Sequence, residues 1–220
     1  DGRFLGNTAI QYEGRRMAIW RLDSDPADLD SLASLLAHEM YHCFQLESGD
    51  KNFPEDIYGA FYPREIGNFA VKHRENLLLA GLCGGFDQEK WDGFVSLRAW
   101  RLKTYPASVA YELGVEEIEG SATFVEHEAL KALNPERAKA GLEQKRAELA
   151  SSAELFDVRK SCYTSGAVIL LAAASGGLPP VDWRSAADAA PGRAPEEIPA
   201  GLAEAHRKYF AGVDDLVAGA

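Results

Sequence analysis

Apolar positions along this chain fall first in two short runs and then repeat with the period of a helix. Residues 8–12 and 16–20 are short, mostly apolar runs on either side of a turn signal and read as two strands. Glu13-Gly14 between them suits a tight hairpin turn, because glycine tolerates positive φ. The helical period then takes over. Leu29, Leu32, Leu35, Leu36 and Met40 form one apolar stripe. Ser24 or Asp25 is expected to cap that helix, Pro26 suits its first turn, and Asp28 and Asp30 favour the positive end of its dipole. It should run to about Glu47 and stop at Ser48-Gly49-Asp50.

Further helices are predicted over 65–82 and 88–105, the second with Trp91, Phe94, Val95, Arg98, Leu102 and Tyr105 at helical spacing. An acid-rich helix follows over 108–133, then a heavily charged outer helix over 135–156, begun by Asn134-Pro135. Residues 163–175 are apolar on every side, the mark of a buried helix. Gly176-Gly177 ends it and Pro179-Pro180 prevents a restart, leaving short helices near 183–189 and 202–210. Residues 50–63 carry Pro54, Gly59 and Pro63 among Phe53, Tyr58, Phe61 and Tyr62. They read as a loop pinned by aromatic anchors, or as one rim of a substrate cleft. The expected architecture is one α+β domain, mainly α. A small N-terminal antiparallel β element (1–22) precedes a helical bundle (23–175) and a helical tail (176–220).

Composition narrows the function. With 220 residues, 46% of them hydrophobic, the chain can bury a core without staples. A formal net charge of −11 argues against nucleic acid as a partner, since phosphates need a basic face. The longest apolar run, 167–174, is too short to span a membrane. Cys43, Cys83 and Cys162 are odd in number and include no C-x-x-C, so a disulfide framework is not expected; Cys43 reads as a buried thiol rather than a ligand. These thiols lean toward a reducing compartment, while a start on Asp1 rather than Met leaves room for a leader or an upstream segment.

Candidate chemistry concentrates in His38-Glu39-Met40-Tyr41-His42. Two histidines four apart on a helix lie one above the other and can grip one metal ion. Glu39 beside them is placed to act as a base: this is the H-E-x-x-H arrangement of zinc hydrolases. A catalytic zinc needs a third protein ligand, and no histidine follows at a suitable distance. Glu119 is the best candidate, because Gly120, Ser121 and Ala122 let helices approach closely there. Glu126, two turns on, is suited to orient a ligand from behind. Arg98 and Arg101 are expected to pair with acidic neighbours or to stay solvated. His73 reads as an ordinary helix residue and His206 as a surface one.

Taken together, H-E-M-Y-H, Glu119-Gly120-Ser121-Ala122 and Tyr163-Thr164-Ser165-Gly166 before an apolar helix resemble the gluzincins. These are zinc peptidases with two histidines and a glutamate, here closest to the alanyl aminopeptidase and leukotriene A4 hydrolase pattern. The resemblance implies a zincin-like core, Zn²⁺ held by His38, His42 and Glu119, Glu39 as general base, and Tyr163 as hydrogen-bond donor to the oxyanion. It implies a peptide or protein substrate, bound along an edge of the N-terminal strands. Ser165 replaces the family lysine, Phe44 the family tryptophan, and 65–105 would be an inserted helix pair. The family's amine-anchoring strand motif is absent, so the likeness covers the catalytic core rather than the specificity elements. The rival expectations are a catalytically silent binding domain and a metal hydrolase acting on a non-peptide substrate.

Overall fold

The structure is a computed structural model that describes residues 6–21, 28–49, 53–54, 59–179 and 198–218. Strands β1 (Thr8–Tyr12) and β2 (Arg15–Ile19) pair antiparallel, with Thr8 opposite Ile19 and Tyr12 opposite Arg15. Glu13 (φ 49°) and Gly14 (φ 77°) make the two-residue turn, and positive φ at both positions matches the right-handed twist of the strands. The second strand thus lies one residue earlier than expected. The hairpin rests on helix α1 (Leu29–Glu47).

The cap of α1 is Asp28, whose carboxylate accepts from the Ser31 backbone N–H at 3.0 Å. Ser24 and Asp25, expected in that role, lie outside the described residues, as does the short helix expected over 183–189. Helices α2 (Ile66–Leu82) and α3 (Gln88–Thr104) follow. The acid-rich stretch forms α4 (Pro106–Val115), a π-helical turn (Glu116–Gly120) and α5 (Ser121–Leu133), continuous through right-handed backbone. Helix α6 (Pro135–Ala150) buries only Ala138 and Leu149, as an outer helix should. It stops six residues before the expected end. Helix α7 (Val158–Ser175) starts five residues before the apolar run, capped by Asp157. The last helix, α8 (Ala200–Ala218), extends beyond the expected bounds on both sides.

The core has two apolar clusters with a charged layer between them. Along α2, Phe69 and Ala70 belong to one cluster and Leu79 and Leu82 to the other; Lys72, Glu75 and Asn76 lie between. Along α7 the same order runs Val158 and Cys162, then Ser165, then Val168, Ile169 and Ala172. Arg98 and Arg101 of α3 enter this layer fully buried, rather than remaining in solvent. Arg98 grips both oxygens of Glu116, at 2.6 and 3.1 Å, and reaches Glu75 at 3.0 Å. Arg101 bridges Glu75 (2.7 Å), Glu112 (2.5 Å) and Asn68. Lys72 donates to Glu112 at 2.9 Å. Three cations thus meet three carboxylates, Glu75, Glu112 and Glu116, and nearly every buried charge has a partner within hydrogen-bond reach.

Of the small residues after Glu119, Ser121 meets α1, accepting from Gln45 at 3.0 Å, whereas Gly120 faces α7. A Cβ on Gly120 would stand 2.6 Å from the Gly166 Cα, and one on Gly166 would stand 2.7 Å from the Glu116 carbonyl oxygen. The close approach is therefore between the π turn and α7, not between the π turn and α1. Gly166→Ala is expected to lower stability by about 1–3 kcal/mol, because backbone on both sides must move. Urea denaturation checks this; an unchanged midpoint would mean that the two helices can separate at no cost.

His206 is not a free surface residue. Its Nε2–H donates to the Arg64 carbonyl (2.8 Å), and its ring packs against Phe69, Phe156 and Phe210. Among the described residues, no helix is long and apolar enough to cross a membrane.

Candidate metal centre

Helix α1 is amphipathic in the opposite sense to a simple core helix. Its buried positions are Ser34, His38, Glu39, His42 and Gln45, whereas Leu29 and Met40 of the expected apolar stripe are 81% and 63% exposed. The polar face turns inward because partners wait there, on α5, the π turn and α7.

Those partners define the state of each histidine. Gln45 donates its amide to the Ile118 carbonyl and the Ser121 hydroxyl, both at 3.0 Å, which directs its Oε1 at His42 Nδ1, 2.7 Å away. An amide oxygen only accepts, so Nδ1 carries the proton. Glu126 Oε2 lies 3.2 Å from His38 Nδ1 and makes the same demand. Both Nε2 lone pairs are thereby free to face one point. Glu119 supplies the third donor from the π turn. Such turns insert an extra residue into a helix and re-aim the side chains that follow. Its Oε2 lies 3.2 Å from His42 Nε2 and 3.7 Å from His38 Nε2, and the two Nε2 atoms are 3.2 Å apart.

This triangle is a test of fit. Bonds of about 2.0–2.1 Å in a tetrahedral zinc site put donor atoms roughly 3.3–3.4 Å apart. Two sides of the triangle fall just below that spacing and one just above it, so the three donors can form one face of a tetrahedron. His38, His42 and Glu119 are also the cluster with ligand spacing among the described residues. Charge agrees: Glu119, Glu126 and Glu39 stand around the two histidines, and Arg159 pairs with Glu119, a set of carboxylates that suits a divalent ion.

Two more side chains complete the site. Arg159 donates to Glu119 Oε1 at 2.8 Å, leaving Oε2 directed at the histidines. Tyr163, one turn along α7, stacks on the His38 ring (centroids 6.3 Å apart) and hydrogen-bonds Glu119. Burial and the Glu119 charge hold its hydroxyl well above the usual phenol range, so it stays a donor. Glu39 is 8% exposed, and among the described residues no side chain hydrogen-bonds its carboxylate. Burial raises its pKa, although both histidines pull it down. Phe53, from the aromatic segment expected to rim a cleft, has its ring 6.4 Å from that of His42; Tyr62 is buried and bonds Glu112, and Tyr58 lies outside the described residues.

Gln45 and Arg159 were not singled out by sequence reasoning, though a signal existed. Gln45 sits three residues after His42 and Arg159 four before Tyr163, the spacings at which helical side chains touch. Comparison with protein-family models, with curated proteins and with solved structures finds no match to this chain.

Burial opposes protonation of His38, but hydrogen bonds to Glu119 and Glu126 outweigh it and raise its pKa to about 9. The stability from that proton is complete below the ordinary value of 6.5 and is lost as pH rises through about 9. Metal must displace the proton, so zinc binding at pH 7.5 is expected to release about one proton. Calorimetry in buffers of different ionisation enthalpy reads this directly; release of none would remove His38 from the ligand set.

Proposed function

We propose that this chain is a zinc-dependent peptidase with a gluzincin-type site on a zincin-like core. The observation that supports this is the donor triangle of His38, His42 and Glu119, with both histidine tautomers set by Glu126 and Gln45. Three protein donors leave a fourth position for water, the pattern of catalytic rather than structural zinc sites. When bound, zinc supplies a Lewis acid for the carbonyl and brings the pKa of a water to about 7.

The chain's own groups do the rest. Glu39, buried beside both histidines, takes the proton of the attacking water and passes it to the leaving amine. Tyr163 donates to the developing oxyanion, a contact worth roughly 3 kcal/mol in comparable sites. Arg159 holds the Glu119 carboxylate in one orientation through Oε1. The hairpin on α1 offers strand edges with which an extended peptide could pair.

Elemental analysis of the native protein and of Glu119→Ala, with an assay on an unfolded protein substrate, tests this. One zinc per chain, little in the variant and cleavage stopped by a chelator are expected. No zinc in the native protein, even after addition, would reduce H-E-M-Y-H to a coincidence. Zinc without cleavage would point to a binding domain or to a non-peptide substrate.

A further inference from the structure

A cavity of about 320 Å³ opens at the N-terminal end of α7, between the segment around Tyr62, helix α4 and helix α8. Tyr62, Tyr111, Phe156, Tyr209 and Phe210 line it, and Arg159 forms part of its wall. Arg159 is the link to the metal centre. Arg159 lines this cavity, and its guanidinium bonds Glu119 Oε1 at 2.8 Å and stands 5.9 Å over the Tyr163 ring. The cavity and the candidate metal centre are therefore neighbours that share one side chain.

We propose that this cavity is the specificity pocket of the site and takes one aromatic side chain of a peptide, at a residue flanking the bond that is cut. The inference rests on the peptidase reading above. Its size is at the small end of ligand sites, about 300–1,000 Å³, which suits a single large side chain. Five of its twelve lining residues carry aromatic rings, which favour another ring by edge and offset contacts. The cations beside it are already engaged, Arg64 by Asp214 at 2.6 Å and Arg159 by Glu119, so an acidic side chain would have to compete with built-in carboxylates. A planar guanidinium at the wall stacks on an aromatic ring without giving up its in-plane hydrogen bonds.

The test has two readouts. Internally quenched peptides that differ only in Phe, Leu, Ala or Asp at each position flanking the cut are given to the zinc-loaded protein. Phe is expected to exceed Ala by at least about tenfold in kcat/KM at one position. Val213→Trp, which fills the cavity from α8, is expected to cut that ratio to within about twofold with zinc content unchanged. In parallel, saturation-transfer NMR follows binding of N-acetyl-phenylalaninamide to the zinc-loaded native protein and to Val213→Trp, and loss of binding in the variant is expected. Cleavage without an aromatic preference, or a preference that survives Val213→Trp, overturns the pocket and leaves the peptidase reading intact. If no peptide is cut, the peptidase reading falls and NMR decides the cavity: binding lost in Val213→Trp keeps it as an aromatic site, and binding absent or equal in both overturns it.

Discussion

Glu39→Gln is expected to lower turnover by about 10²–10⁴-fold while zinc stays bound at the native stoichiometry. The substitution keeps the shape of the side chain and removes only its capacity to take a proton. Nothing in the ligand triangle depends on that capacity: His38 is oriented by Glu126, His42 by Gln45, and Glu119 by Arg159. The carboxylate of Glu39, by contrast, has no hydrogen-bonded side chain among the described residues and interacts with the charges of His38, His42 and Glu119. Burial raises its pKa, against the pull of the two histidines. The measurement is kcat with metal content on the same preparation. Turnover retained at full zinc occupancy would sink the general-base assignment. Loss of zinc together with turnover would mean that Glu39 serves the metal rather than the proton.

Arg98→Met is the second large effect, a loss of about 3–5 kcal/mol in unfolding free energy. Arg98 is 2% exposed, and its removal strands Glu116 and leaves Glu75 with Arg101 alone. A buried carboxylate without its cation keeps the full penalty of leaving water, whereas a methionine of similar length fills the space. Against a typical total of about 5–15 kcal/mol this is a large fraction. The double variant Arg98→Met with Glu116→Gln should lose clearly less than the two single variants added together, because the stranded charge is then gone. Glu116 also accepts from Ser165 at 2.5 Å and opens the π turn that carries Glu119. Zinc affinity of the single variant should therefore fall along with stability. Chemical denaturation and zinc titration read the two effects separately. A single-variant loss below about 1 kcal/mol would mean that water reaches this layer and the pair is screened as at a surface.

The interior arrangement explains why sequence reasoning reached some parts of the molecule and missed others. The H-E-x-x-H pair, the Glu13-Gly14 turn, the cap at Asn134 and the buried run in α7 are local: each depends on residues a few positions apart, through dihedral preference, helical period or an unbonded backbone N–H. Those were legible. Leu29 and Met40 were misplaced because an apolar stripe predicts burial only when nothing outbids it. Here the inward face of α1 is claimed by the polar partners of His38, His42 and Gln45, which come from residues 118–126. Arg98 and Arg101 could not be placed from their own helix. Whether a charge is buried depends on how many opposite charges surround it, and theirs come from α2, α4 and the π turn.

By itself, then, the sequence determined a mainly helical chain with a short N-terminal hairpin and the spacing of two histidines on one helical face, because both follow from periods along the backbone. Only the tertiary structure decided that residues 116–120 form a π turn, that Gly120 and Gly166 bring it against α7, and that Arg159 holds Glu119, a residue the sequence had already singled out, beside the histidines. Each of those is a contact across tens of residues, where backbone approach and paired charge outweigh local preference.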